Sequence, residues 1–193
     1  MKKIIIAAVL LAVVALKANS QNSAGNCYRG YVDAGYSIGI GDYCFNRFEI
    51  NTSHGYQINP YIFIGAGFGF HFMPEYETDG SSNIALDIRD SEVDIPIFAD
   101  VRINFMKSTF TPFVDVRGGT YVTNNGGLYV NAAVGCRYAI NSKQGIYLAV
   151  GYAKGKLEFQ EFAGYTSSSS GTYYRKASDG DTESITIKLG FEF

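Results

Sequence analysis

The chain has 193 residues, of which 47% are hydrophobic, 15% aromatic and only 18% charged, and its formal net charge is −2. With 22 glycines and 4 prolines, the composition excludes a collagen-like protein, and its hydrophobic content argues against an intrinsically disordered one. No basic run indicates nucleic-acid binding. The length suits one domain.

The first 20 residues have the features of an export signal. Two lysines precede the apolar run Ile4–Leu16, which is too short to span a membrane as a helix. Small residues near its end predict cleavage between Ser20 and Gln21. The leader carries three lysines and no acid, so the remaining chain has 16 − 3 = 13 basic and 18 acidic residues, a net charge of −5. We therefore predict a signal peptide at 1–20 and one exported domain at 21–193.

Apolar and polar residues alternate in segments throughout the predicted mature chain. Such alternation indicates β-strands whose two faces meet different environments. Turn residues such as Asn59-Pro60 and Asn124–Gly127 separate the segments. In one segment Pro96 cannot donate a ladder hydrogen bond, and we expect it to mark a bulge or a strand end. Eight strands are predicted in this way: Tyr28–Ile40, Phe45–Tyr56, Tyr61–Phe72, Val93–Met106, Phe110–Val122, Leu128–Ile140, Gly145–Ala153 and Ser184–Phe193.

The connections between these strands alternate in length. Short turns follow every second strand, whereas the long connections Pro74–Glu92 and Gly155–Thr182 follow the third and the seventh. Short periplasmic turns and long outside loops are typical of outer-membrane barrels. The final segment, Ser184–Phe193, must cover its edge, and we expect it to pair with both Tyr28–Ile40 and Gly145–Ala153. The predicted fold is all-β: an eight-stranded antiparallel up-and-down transmembrane β-barrel.

The composition of the polar face separates a membrane barrel from a soluble one such as a lipocalin. A solvated face would be rich in Lys, Glu and Thr, but here glycine, alanine and serine alternate with isolated charges, which suits a narrow, filled lumen. With Arg29 and Asp94, this face carries six basic and six acidic residues, a balance that a buried site requires. We predict a charge network that plugs the lumen, formed by Asp33, Arg47, Glu49, Asp100, Arg102, Asp115, Arg117, Arg137, Lys188 and Glu192.

The apolar face carries no charged residue inside any predicted strand. A charge facing lipid at the bilayer midplane costs roughly 2–4 kcal/mol, so this absence is expected of a membrane barrel. A secreted soluble β-barrel that binds a ligand is the alternative. Of the three cysteines, Cys27 and Cys44 fall at opposite ends of the first predicted hairpin and Cys136 lies in mid-strand, so we expect no intramolecular disulfide. Neither a metal nor a cofactor is predicted.

The export signal, the eight hairpin-linked strands and the alternating end at Leu189, Phe191 and Phe193 resemble the small OmpA/OmpX-type outer-membrane barrels. The segments His54–Tyr61 and Asp94–Arg102 resemble the porin-like barrel proteins of Bacteroidetes. The resemblance covers essentially the whole mature chain. It implies a location in the cell outer membrane, contact with lipid and lipopolysaccharide, and an assembly signal at the three terminal apolar residues that the barrel-assembly machinery reads. No peptidoglycan-binding domain like that of full-length OmpA is expected.

The function predicted from these features is a structural or surface-interaction role, as a monomer and without catalysis. One alternative is a narrow pore for small solutes. Another is a lipid-A-modifying enzyme, with His71, Asp94 and either Ser37 or Ser184 near the predicted outer mouth, as in the outer-membrane lipid-A acyltransferases that it would resemble. Such an enzyme needs an apolar lumen for an acyl chain, which the predicted lumen charges disfavour.

The two long connections are candidate sites for an extracellular ligand. Pro74–Glu92 has a net charge of −5, which allows calcium binding, but its spacing matches no EF-type loop and a solvated acidic loop is favoured. Gly155–Thr182 combines tyrosines with serines and glycines, a composition found both in adhesive segments and in flexible linkers.

Overall fold

The computed structural model describes residues 27–41, 44–77, 86–123, 127–165 and 172–193, and within these ranges the side chains of 76–77, 86–89, 160–165 and 172–179 are not described. The predicted signal peptide and its cleavage site between Ser20 and Gln21 lie outside the described residues. So do Asp42 of the first predicted turn, residues 124–126 and the serine run Ser167–Ser170.

All regular secondary structure in the described part of the chain is β-strand. The strands are β1 Cys27–Ile40, β2 Arg47–Gln57, β3 Ile62–Met73, β4 Tyr76–Glu77, β5 Leu86–Arg89, β6 Glu92–Asp94, β7 Pro96–Asn104, β8 Phe110–Tyr121, β9 Leu128–Ala139, β10 Gly145–Tyr165 and β11 Thr172–Glu192. Over the same ranges, no helix is long and apolar enough to cross a membrane.

The strands close into an antiparallel barrel. Each barrel strand pairs with the next one along the chain, in the order β1, β2, β3, β6 together with β7, β8, β9, β10 and β11. The last strand, β11, also pairs with β1. On β11, Phe191 lies opposite Val32 of β1 and opposite Ile146 of β10. The prediction of an eight-stranded up-and-down barrel closed by the last strand is therefore confirmed.

The fourth barrel strand is divided in two at Pro96. β6 ends at Asp94 and β7 begins at Pro96, and both pair with β3. The pairs Phe68–Ile97 and His71–Asp94 belong to one register, because three steps forward along β3 match three steps back along the partner. No residue is inserted, so the predicted bulge is wrong. The alternative, a proline at a strand end, is confirmed, since a missing amide donor is tolerated there.

The predicted long connection Gly155–Thr182 is wrong. β10 continues to Tyr165 and β11 starts at Thr172, each with 21 residues, and the two pair along their whole length. The prediction failed because it identified strands by an apolar outward face. Beyond Tyr152 that face carries charged residues instead, although the backbone ladder continues.

The predicted connection Pro74–Glu92 also contains strands. β4 pairs with β5, and β5 pairs with β10, where Leu86 lies opposite Phe162. The sheet order β4-β5-β10-β11 thus extends from one end of the barrel. The three short turns after β2, β7 and β9 lie at the opposite end, together with the start of β1 and the end of β11. We call these the hairpin end and the turn end.

Candidate functional site

The outward face of the barrel forms an apolar belt. No Asp, Glu, Lys or Arg lies on the outward face of β1, β2, β3, β7, β8 or β9. The large apolar side chains exposed around the barrel include Ile38, Ile64, Ile97, Val116, Val134, Leu148, Val150, Ile187 and Leu189. A continuous exposed apolar surface of this kind marks contact with lipid or with another protein.

Charged side chains on β10 and β11 mark where the belt ends. Lys154 Nζ lies 3.2 Å from Asp181 Oδ2 and 3.4 Å from Glu183 Oε1. The hydrogen bond with Asp181 raises the pKa of Lys154 above its ordinary value. These residues follow Tyr152 and precede Ile185 on the same outward face. The two strands therefore leave the belt at this level and project beyond it.

Inside the barrel, the turn end opens into a cavity of about 790 Å³, which we call the vestibule. Its lining includes Arg29, Arg137 and Glu192. Arg29 Nη1 lies 2.8 Å from Glu192 Oε1 and donates at 2.9 Å to the Lys143 carbonyl. Arg137 donates to both carboxylate oxygens of Glu192 through Nε and Nη2. The carboxylate of Glu192 on β11 thereby links this strand to β1 and β9.

An aromatic layer lies deeper than the vestibule. The buried guanidinium of Arg102 is 4.0 Å from the ring centroid of Tyr31 and 4.4 Å from those of Phe113 and Tyr147. Phe63 packs edge-to-face on Tyr31, with centroids 4.8 Å apart. The rings stabilise the cation through their negative faces, so a charge and four aromatic side chains together fill the cross-section. We refer to these five residues as the aromatic layer.

Arg117 is the centre of an ion-pair layer beyond the aromatic layer. Its Nη2 donates to Asp33 Oδ2 at 2.6 Å, and its Nε lies 3.1 Å from Asp115 Oδ2 and 3.5 Å from Asp100 Oδ2. Arg102 Nε donates to the other oxygen of Asp115 at 3.3 Å. All five side chains are buried. Two guanidinium groups and three carboxylates thus form one connected cluster.

Neutral donors add hydrogen bonds to two of these carboxylates. Asp33 accepts from Asn51 Nδ2 at 3.1 Å and from the Tyr147 hydroxyl at 2.9 Å. The Ser53 hydroxyl donates to Asp100 at 2.5 Å. Such hydrogen bonds offset part of the cost of burying a charge, while Asp100 Oδ1 has no hydrogen-bond partner among the described residues.

A second buried pair lies nearer the hairpin end. Arg47 Nε donates to Glu49 Oε1 at 2.7 Å, and the Ser37 hydroxyl donates to the same oxygen at 2.6 Å. Lys188 donates to the Asn131 side-chain carbonyl. Above these groups a buried apolar cluster fills the lumen at the hairpin end: Phe45, Met73, Phe98, Tyr121, Tyr129, Leu157 and Phe159.

The structure places the ten residues of the predicted charge network on the inward face. Nine of them are buried and Arg137 is partly exposed. It brings together Arg47 with Glu49, Arg137 with Glu192, and the cluster around Arg117, whereas Lys188 contacts an amide. Sequence reasoning missed the aromatic layer, although its rings share the inward parity of the predicted charges.

The residues of the predicted assembly signal, Leu189, Phe191 and Phe193, lie on the outward face of β11 and just past its end. The backbone of Phe193 exchanges two hydrogen bonds with Gly30, at 2.8 and 2.9 Å. Its ring covers the Gly30 Cα, where an added Cβ would overlap it. The His54 ring lies 6.0 Å away in an edge-to-face arrangement. The last residue is therefore fixed on β1 by both backbone and side chain.

His71, the centre of the catalytic alternative, is buried, and its Nε2 lies 3.7 Å from Glu49 Oε2. Its Nδ1 lies 3.2 Å from the Tyr121 hydroxyl and its Nε2 lies 3.2 Å from Asn51 Oδ1. Ser37 donates to Glu49, and Ser184 accepts from Arg47. Asp94 lies opposite His71 in the strand register and accepts from Thr123. Within the described side chains, no group of three or more His, Cys, Asp or Glu residues could hold a metal ion.

No protein-family model matches this chain, and no curated protein matches it in sequence. Solved structures do match. Neisserial surface protein A is 14% identical with a TM-score of 0.50, over 87% of this chain and 97% of that protein. The outer membrane protein AlkL in lipid bilayers is 11% identical with a TM-score of 0.48, over 91% of this chain and 93% of that protein. Outer membrane protein W of E. coli is 14% identical with a TM-score of 0.43, over 90% of this chain and 100% of that protein. At this identity the likeness to the Neisserial protein establishes the fold, a closed eight-stranded antiparallel barrel of the transmembrane type.

Proposed function

We propose that this protein is an integral barrel of the outer membrane with a structural or surface-interaction role. The apolar belt is the observation that carries the proposal. The barrel strands β2, β3, β8 and β9 have 11 or 12 residues, and a tilted strand needs about 9–11 residues to cross a bilayer. In water the same belt would be a large exposed apolar surface, which soluble monomers avoid.

The packed lumen supports a role other than transport. A solute entering from the turn end would meet the aromatic layer, then the ion-pair layer, then the apolar cluster at the hairpin end. Displacing Arg102 or Arg117 would separate buried charges from their partners, which is costly at low dielectric. We therefore propose a plugged barrel rather than a narrow pore, and a charge network with a structural rather than a catalytic role.

The projecting hairpin supports the surface-interaction part of the proposal. β10 and β11 continue past the charged boundary at Lys154 and Glu183, and β4 and β5 extend the same sheet. In this arrangement the hairpin end faces outward from the cell and would contact lipopolysaccharide at its base and an extracellular ligand further out. The turn end faces the periplasm, from which the assembly machinery would insert the chain as a monomer.

Fractionation of cells followed by gel electrophoresis tests the location. We expect the protein in the outer-membrane fraction, migrating differently before and after boiling, because a folded barrel resists the detergent of the gel. Recovery in the soluble fraction with no mobility shift would favour the secreted soluble barrel instead.

Planar-bilayer recording of the purified barrel tests the plugged lumen. We expect no steady single-channel conductance. A matched measurement on the Arg102→Ala variant, which removes the cation between three rings, should show more frequent openings. Steady conductance of the unmodified protein would contradict the plugged lumen while leaving the membrane location intact.

A further inference from the structure

The vestibule is a blind cavity at the turn end. Its volume is about 790 Å³, and its walls come from the ends of the barrel strands and from the three short turns. Tyr31 lies two positions further along β1 than Arg29, and it belongs to the aromatic layer that closes the lumen below. A cavity of this size accommodates a small polar molecule. It offers no route through the barrel, so its use would be binding rather than passage.

The vestibule carries a net positive charge. Among the lining residues, Arg29, Arg137 and Lys107 are basic and Glu192 is the single acid, which gives 3 − 1 = +2. Glu192 is held by both arginines and neutralises only one of them. A concave surface with low-dielectric walls concentrates the potential of such charges. The cavity therefore favours an anion over a neutral or cationic molecule.

Asn104 adds a second requirement to the ligand. This residue lines the vestibule and is only 7% exposed. Its side-chain oxygen is buried and has no hydrogen-bond partner among the described residues. Buried polar atoms without partners are rare in folded proteins. A ligand that brings an O–H or N–H group to this oxygen would satisfy it.

We propose that the vestibule is a binding site for a small oxyanion that also carries a hydroxyl or amino group. The oxyanion, a carboxylate or a phosphate, contacts Arg137 and Lys107, and the donor group contacts Asn104. The ligand enters from the turn end. This site includes Arg137 and Glu192 of the predicted charge network and goes beyond the structural role proposed above.

Titration followed by NMR tests the site, with the mature protein folded in an uncharged detergent. The probes are gluconate and glycerol 3-phosphate, which carry hydroxyl groups on a carboxylate and a phosphate respectively. We expect saturable shifts of the backbone amides at residues 104–111 and 137–142, with a Kd on the order of 1 mM. Saturation by one probe alone would identify whether carboxylate or phosphate is preferred. No saturable shift with either would overturn the proposal.

Two variants separate specific binding from general attraction of anions. Lys107→Glu lowers the net charge of the lining from +2 to 0 and should weaken binding by at least about tenfold. Lys156→Glu makes the same charge change at the hairpin end and should leave binding unchanged. Equal weakening by both would show a whole-protein charge effect and overturn the site.

The hydroxyl requirement is tested by acetate and by Asn104→Leu. Acetate, which lacks a donor, should bind more weakly than gluconate to the unmodified protein. In the Asn104→Leu variant that preference should disappear, because leucine accepts no hydrogen bond. Gel mobility before and after boiling establishes that each variant is folded. A folded variant that keeps the preference for gluconate would overturn the assignment of Asn104.

Discussion

Replacing Arg117 by methionine tests whether the ion-pair layer stabilises the barrel. Methionine keeps much of the volume but removes the cation that lies within 3.5 Å of Asp33, Asp100 and Asp115. Removing one partner of a buried ion pair costs about 3–5 kcal/mol, because the other charge is left uncompensated. Here three carboxylates lose a shared partner and only Arg102 stays within reach of Asp115. We expect a loss at the upper end of this range, about 5 kcal/mol.

Equilibrium unfolding by urea in lipid vesicles measures this loss. Because the chain contains no tryptophan, the folded fraction is best followed by gel mobility and by circular dichroism. Lys154→Met, at the exposed boundary, is the matched control, and we expect it to change the free energy of unfolding far less. A salt bridge in solvent contributes little since water and ions screen it.

A double variant separates charge from packing. Adding Asp33→Asn to Arg117→Met removes the carboxylate that makes the 2.6 Å contact with Arg117, so it should recover part of the lost stability, at least about 1 kcal/mol. If Arg117→Met unfolds at the same urea concentration as the unmodified protein, the ion-pair reasoning is refuted. If the double variant is no more stable than the single one, packing rather than charge explains the loss.

Three further predictions concern the contact between β1 and the end of β11, and the hairpin formed by β10 and β11. Gly30→Val should displace the Phe193 ring and destabilise the barrel by about 1–3 kcal/mol, whereas Gly118→Ala, where a Cβ would meet no atom within 4 Å, should stay within about 0.5 kcal/mol in the same urea titration. Deleting Phe193 should lower the amount of protein in the outer membrane more than any loop deletion, as judged by quantitative blotting, and normal levels would contradict an assembly role. Replacing 160–179 by a short turn should leave the boiling-dependent gel shift intact, because the barrel closes below this segment; loss of the shift would show that the hairpin is needed for folding.

Strand positions were accessible from the sequence because alternation is a local property. Along β7, apolar residues such as Val101 alternate with Asp100 and Arg102. The alternation predicts that Val101 faces lipid and that Asp100 and Arg102 are buried in the lumen. The pairing of the last strand with the first also followed from the sequence, since an uncovered edge has few other partners in an up-and-down barrel. The length of β10 and β11 could not be predicted from the sequence, because the outward faces of both strands change from apolar to charged where they leave the belt.

Which lumen side chains meet across the barrel was decided only by the tertiary structure. Arg117 and Asp33 are 84 positions apart in the chain, and their contact depends on the tilt and stagger of closed strands, which alternation does not encode. For the same reason, the sequence placed Arg102 in the predicted charge network but did not show that three aromatic rings surround its guanidinium group. Period-two patterning determines which face each residue occupies. Barrel closure determines the level in the lumen at which it lies, and therefore its partners.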